Sequence, residues 1–97
     1  VSNYRRGRDA EYKACEVLER AGYVVARTAG SHSPFDVVAV SPTGVRLIQV
    51  KRTQDGISPG KLEVAREQLR MIRAPSNVSR EIWVWRKGDG WVKQEVL

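Results

Sequence analysis

The chain has 97 residues, 41% of them hydrophobic and 29% charged, a balance that excludes a disordered or collagen-like polypeptide. Residues 1–97 are expected to form a single domain, near the lower end of what builds its own core. A formal net charge of +6 and a pI near 10.0, with arginine outnumbering lysine, point to nucleic acid as the first partner to consider; a basic globule without a polyanion partner is the alternative.

Ser2 can cap a first helix running from residue 3 or 4 to 21, with Gly22 as its stop. Gly7, Glu11, Ala14, Cys15, Leu18 and Ala21 fall on one face at spacings of three and four. Glu11 is the polar exception on that face, either a surface residue at the edge of the stripe or part of a site. Arg5, Arg6 and Arg8 crowd the helix start, where positive charge opposes the helix dipole; gripping phosphates is one reading and a solvated helix start the other. Cys15, the single cysteine, reads as a small core hydrophobe in a reducing compartment.

Residues 23–28 are rich in β-branched side chains and read as the first strand, followed by a small-residue loop containing Ser31, His32 and Pro34. Residues 35–40 and 45–52 form the next two strands, joined by the short turn Ser41-Pro42-Thr43-Gly44 and so antiparallel. Ser58-Pro59 then opens a helix over 60–73, with Leu62, Ala65, Leu69 and Ile72 on its apolar stripe. Strands 81–86 and 91–96 close the chain around an Asp-Gly turn. Trp83 and Trp85 share one strand face and Ile82 and Val84 the other, so both faces call for burial, the aromatic pair as core or interface.

The order α-β-β-β-α-β-β predicts an α/β fold: a mixed sheet of about five strands, an antiparallel meander with a parallel strand added after the second helix. No apolar run approaches the roughly 18 residues that span a bilayer and no signal peptide is seen, so a cytoplasmic protein without a membrane partner is expected.

Three residues break the hydrophobic pattern of the central strands. Alternation puts Gln49 and Lys51 together at the end of an otherwise apolar strand face. Antiparallel pairing brings Asp36, at the start of the preceding strand, beside them. A carboxylate and an amide oxygen can hold a hard divalent cation, and an ammonium can orient a water for attack on phosphorus. Glu11 can join them if the Ala14–Leu18 face packs on the sheet. The plainer alternative makes Asp36 a turn residue, with Gln49 and Lys51 marking where the strand leaves the core.

Ser33-Pro34-Phe35-Asp36, followed thirteen residues later by Gln49 in Gln49-Val50-Lys51, resembles the PD-(D/E)xK nuclease motif, and Glu11 resembles that superfamily's additional helical acid. Within it the chain is most similar to the archaeal-type Holliday junction resolvases, through residues 7–11, 27–31 and the lysine strand. The resemblance implies a restriction-endonuclease-like core, a homodimer, and metal-dependent cleavage of branched DNA with Mg2+ or Mn2+ and no small-molecule cofactor. It implies Asp36 and Gln49 as metal ligands, the Val50 carbonyl as a third, and Lys51 as base or water-positioning group. Glu11 would be a ligand or outer carboxylate, and Arg27 and Ser31 contacts to the scissile phosphate or its neighbours. Apart from the resemblance, His32, the single histidine, reads as a DNA contact or a plain loop residue rather than a general base, and Arg52 joins Arg5, Arg6 and Arg8 as an expected DNA contact. Two departures stand out: Phe35 separates the proline from Asp36, and Gln49 occupies a position where an acid is usual. A restriction-like or repair endonuclease on other DNA, or a non-catalytic junction binder, are the competing readings.

Overall fold

The computed structural model describes residues 3–28 and 33–97, with side chains from Arg8 onward. The elements are α1 (Asn3–Arg20), β1 (Val24–Arg27), β2 (Val37–Ser41), β3 (Gly44–Thr53), α2 (Pro59–Arg70), β4 (Val78–Arg86) and β5 (Gly90–Val96). The expected Ser2 cap and residues 29–32 lie outside the described residues.

The strands form one sheet in the order β1-β2-β3-β4-β5, antiparallel except where β3 and β4 run parallel. That parallel step needs a crossover, and α2 supplies it. One helix covers each face. Ala10, Ala14, Cys15 and Leu18 of α1 pack with Val37, Ala39, Ile48, Val50 and Trp83. Leu62, Ala65 and Leu69 of α2 pack with Ile82 and Val84 on the other face. The alternation expected for β4 is therefore realised, with the tryptophan face toward α1. Trp91 stands edge-on to both Trp83 and Trp85, at centroid distances of 5.3 and 5.1 Å, and a bulge between Val84 and Trp85 accommodates the contact. Cys15 is buried and burial pushes its thiol pKa up, as suits a core residue.

Local chemistry sets the boundaries. Helix α1 ends in a Schellman arrangement, with Gly22 N donating to Glu19 O and Tyr23 N to Leu18 O, and Gly22 at φ +98°. Ala21, expected on the buried face, is consequently the exposed cap. Ser58 Oγ accepts from Lys61 N and caps α2 as expected, with Pro59 in the first turn.

The same helix stops at Arg70 rather than Arg73. The Arg80 guanidinium meets its last carbonyls, donating to Leu69 O and Arg70 O at 3.4 Å each, and also to Ile72 O just beyond the helix at 3.0 Å. Ile72 leaves the helix but still packs on the α2 cluster. Strand β4 begins three residues earlier than local pattern indicated, because its pairing with β3 starts at Val45↔Val78.

Candidate active site at the end of the central strands

Strand β2 begins at Val37, one residue after Asp36, so Phe35 and Asp36 precede the strand instead of opening it. The backbone of Asp36 nevertheless continues the ladder: its N–H donates to Ile48 O at 2.8 Å and its carbonyl accepts from Thr28 N at 2.9 Å. Phe35, the residue separating proline from aspartate, packs against the α2 cluster, and its carbonyl accepts from Thr28 Oγ1 at 2.7 Å. Both contacts anchor the segment that presents Asp36.

Beyond Ile48, β3 has no β2 backbone to pair with. The Asp36 side chain takes that place, Oδ2 accepting from Val50 N at 2.8 Å. A strand residue directs its N–H and C=O toward the same side, so the Val50 carbonyl faces the gap where Asp36 sits. Burial pushes the Asp36 carboxyl pKa up; the Val50 N–H opposes this, Glu11 adds to it, and Lys51 and Arg27 oppose it. Asp36 thus shares one electrostatic environment with Glu11, Lys51 and Arg27.

Gln49 is only 7% exposed. Its Nε2 donates to Gln68 Oε1 of α2 at 3.2 Å, while its own Oε1 is buried without a hydrogen-bond partner among the described residues. An orphaned buried acceptor costs about 1–3 kcal/mol. Lys51 follows on the same strand face, half-buried.

Packing of the Ala14–Leu18 face on the sheet carries Glu11 to this end of the molecule. Its Oε1 accepts from Arg27 Nη1 at 2.8 Å, and the Arg27 guanidinium lies over the Tyr12 ring at 4.4 Å with Nη2 donating to Tyr12 Oη at 3.3 Å. The residue expected to contact phosphate is therefore bonded to the residue expected beside the metal.

The donor set suits a hard divalent cation. Among the described residues no three His, Cys, Asp or Glu side chains cluster to hold a metal. The oxygens at hand are instead one carboxylate from Asp36, the unpartnered Gln49 Oε1 and the Val50 carbonyl, of the type Mg2+ and Mn2+ prefer, with less charge than a two-acid site.

Arg52 lies at the end of β3 and lines a cleft shared with Lys51. Arg8 is half-buried on α1. The side chains of Arg5 and Arg6, and all of Ser31 and His32, lie outside the described residues. Sequence pattern missed Gln68 and Tyr12; Gln68 stands three residues after Ala65, at the exposed margin of the α2 stripe, and nothing in the pattern set it apart from the other polar residues of that helix.

The family model of the archaeal Holliday junction resolvases (Hjc) matches residues 2–88. The chain belongs to this family. Among solved structures, Hjc from Archaeoglobus fulgidus, a Holliday junction resolvase from an archaeal hyperthermophile, superposes with a TM-score of 0.66 at 22% identity, over 89% of this chain and 69% of that one. The five-stranded mixed sheet with its two helices is therefore the Hjc fold. Family membership places the protein among the junction-resolving endonucleases, as the resemblance of its motif implied, and among enzymes that use a divalent metal. No helix among the described residues is long and apolar enough to cross a membrane.

Proposed function

We propose that the protein resolves four-way DNA junctions as a homodimer, hydrolysing the phosphodiester with Mg2+ or Mn2+ at Asp36, Gln49, Val50 and Lys51. The observation that carries this reading is the Gln49 Oε1, buried without a partner among the described residues, on the strand whose Val50 N–H fixes the Asp36 carboxylate. A bound divalent ion supplies a water of lowered pKa and neutralises charge on the phosphoryl oxygens. Asp36, Gln49 Oε1 and the Val50 carbonyl would hold that ion. The Lys51 ammonium orients the attacking water and stabilises charge growing on the phosphoryl group. Glu11 holds Arg27 in place, so that the guanidinium is presented beside the scissile phosphate with its rotamer already chosen. His32 and Ser31, and the arginines of α1, extend the contact along the DNA backbone.

A two-fold junction is cut in two strands, and a dimer with one site per subunit meets that symmetry. An apolar surface for a second copy is available: Val24 and Val40, paired across β1 and β2, are 75% and 44% exposed at the β1–β2 end of the α2-side sheet face, away from the β4 residues on which α2 packs.

Cleavage of a labelled four-way junction, compared with matched duplex in Mg2+ and in Mn2+, tests the reading. Paired nicks in the junction with little duplex cutting are expected. Equal rates on both substrates would remove junction selectivity, and binding without cutting in either metal would reduce the protein to a junction binder.

A further inference from the structure

A cleft of about 680 Å³ opens between the end of β3, the 54–58 loop and the first turns of α2. Its walls carry Lys51, Arg52 and Lys61, with Ser58 beside them and Ile57 and Val64 as apolar floor; among the described residues no acidic side chain lines it. None of these three cations forms an ion pair within 4 Å among the described residues, although Lys51 lies close enough to Asp36 to oppose the rise of its pKa. Arg20, Arg27, Arg46, Arg66, Arg70, Arg86 and Lys93 sit in ion pairs; Lys13, Arg73, Arg80 and Lys87 share the lack of one with Lys51, Arg52 and Lys61, but only the last three line one concavity. Three unpaired cations around one concavity raise the local positive potential.

The cleft is also held in shape. Thr53 Oγ1 bonds both polar groups of Gly56, donating to its carbonyl at 2.8 Å and accepting from its N–H at 2.9 Å. Ile57 packs against the α2 cluster, so the loop is fixed at both ends. Lys51 belongs at once to this cleft and to the candidate active site, which makes the two continuous.

We infer that this cleft is a second phosphate-binding subsite: it receives the backbone of the cleaved strand next to the scissile phosphate, with Lys61 and Arg52 on a neighbouring phosphate and Ile57 and Val64 against the sugar. The inference rests on the junction-cleaving reading and adds the path of the strand, from the Asp36 end of the sheet across Lys51 toward the start of α2.

Gly60 provides a clean probe. A Cβ there meets nothing within 4 Å, and the residue lies in the first turn of α2. Gly60→Asp therefore places a carboxylate at the cleft wall while favouring the helix start. Junction binding is measured in EDTA, so that metal loading does not enter. Gly60→Asp and Lys61→Ala are each expected to weaken binding several-fold, with unchanged or raised melting temperature for Gly60→Asp. For Lys61→Ala the slope of log affinity against log salt should fall by about 0.9.

A junction carrying single methylphosphonate substitutions locates the contact: at one position next to the cut, loss of the phosphate charge and Lys61→Ala should be non-additive. Arg73→Ala removes the same charge beyond the far end of α2 and should leave that position's effect intact. Additive losses at every phosphate, or full affinity in Gly60→Asp, would overturn the subsite. If the unaltered protein fails to bind the junction, the junction reading itself falls, and the subsite with it.

Discussion

Glu11 and Arg27, sixteen residues apart, are bonded at 2.8 Å, with their side chains only 20% and 16% exposed. Tyr12 stacks under the same guanidinium, so one corner ties α1 to β1 and keeps Arg27 in a single direction. Removing either partner strands a half-buried charge. Glu11→Ala and Arg27→Ala should each cost about 1.5–3 kcal/mol, and the double variant less than their sum by about 1 kcal/mol or more. Urea denaturation of the four proteins checks this. Additive costs would mean that the pair does not act as a unit, and that Arg27 is not positioned by Glu11.

Asp36 should show function and stability pulling apart. Burial pushes its carboxyl up, so the ionised form is held at a cost that the Val50 N–H and Lys51 only partly offset. Asp36→Asn retains an oxygen for Val50 N and removes the charge. It should abolish cleavage while leaving the metal-free protein as stable as before or more so, read from melting temperatures in EDTA. Intact cleavage would take Asp36 out of the site.

Gln49→Glu should do the reverse. A second carboxylate beside Asp36 raises the charge of the donor set, and Mn2+ affinity measured by titration should increase by roughly tenfold. In metal-free buffer the same change buries a carboxylate at a position 7% exposed, costing about 1–3 kcal/mol. Gln68→Ala, which removes the acceptor for Gln49 Nε2, should cost about 1 kcal/mol and loosen Mn2+ binding without touching any ligand. An unchanged Mn2+ titration in Gln49→Glu would exclude Gln49 as a ligand.

The candidate site was legible as a candidate because its residues violate a local pattern. Gln49 and Lys51 stand on a strand face otherwise read as apolar, Asp36 sits one residue before the neighbouring strand, and alternation together with a short turn was enough to place the three at one end of the sheet. Glu11 was legible by the same rule on a helix. Their partners were not. Gln68 and Arg80 act across elements whose mutual placement depends on the register between β3 and β4, and Tyr12 meets Arg27 through the docking of α1 on β1; both arrangements are set by long-range contacts. The end of α2 illustrates the point: apolar spacing continued to Ile72, but the Arg80 guanidinium, ten residues beyond Arg70, closes the helix earlier.

Gly44 is fixed by close approach. Val45 N donates to Asn77 O at 2.9 Å, and a Cβ on Gly44 would be driven into that same carbonyl oxygen. Since Asn77 leads into β4, relief would require moving the start of the parallel pairing. Gly44→Ala should destabilise by about 1–3 kcal/mol, seen as a lower urea midpoint, with the metal titration unaffected because the site lies at the other end of β3. A neutral substitution would mean that this strand start is free to shift.

Glu81 is the charge on which the α1 face of the sheet depends. Its carboxylate is 2% exposed and accepts from Arg46 Nε and Nη2 at 2.7 and 2.8 Å, Ser79 Oγ at 2.6 Å and Trp83 Nε1 at 3.0 Å. Burial alone would push its pKa up; the bonds from Arg46, Ser79 and Trp83 outweigh burial and hold it below the ordinary 4.5. A carboxyl depressed in the folded state adds stability that is present above the unfolded value and is lost as pH falls through the folded value. Glu81→Gln keeps the shape but leaves Arg46 without its counter-charge, at a cost of about 3 kcal/mol near neutrality. That difference from the unaltered protein should shrink as pH drops below 4.5, where the native carboxyl begins to protonate in the unfolded chain. Urea unfolding of both proteins between neutral and acid pH measures it. Parallel stability curves across that range would show that Glu81 is not the acid-sensitive group of this fold.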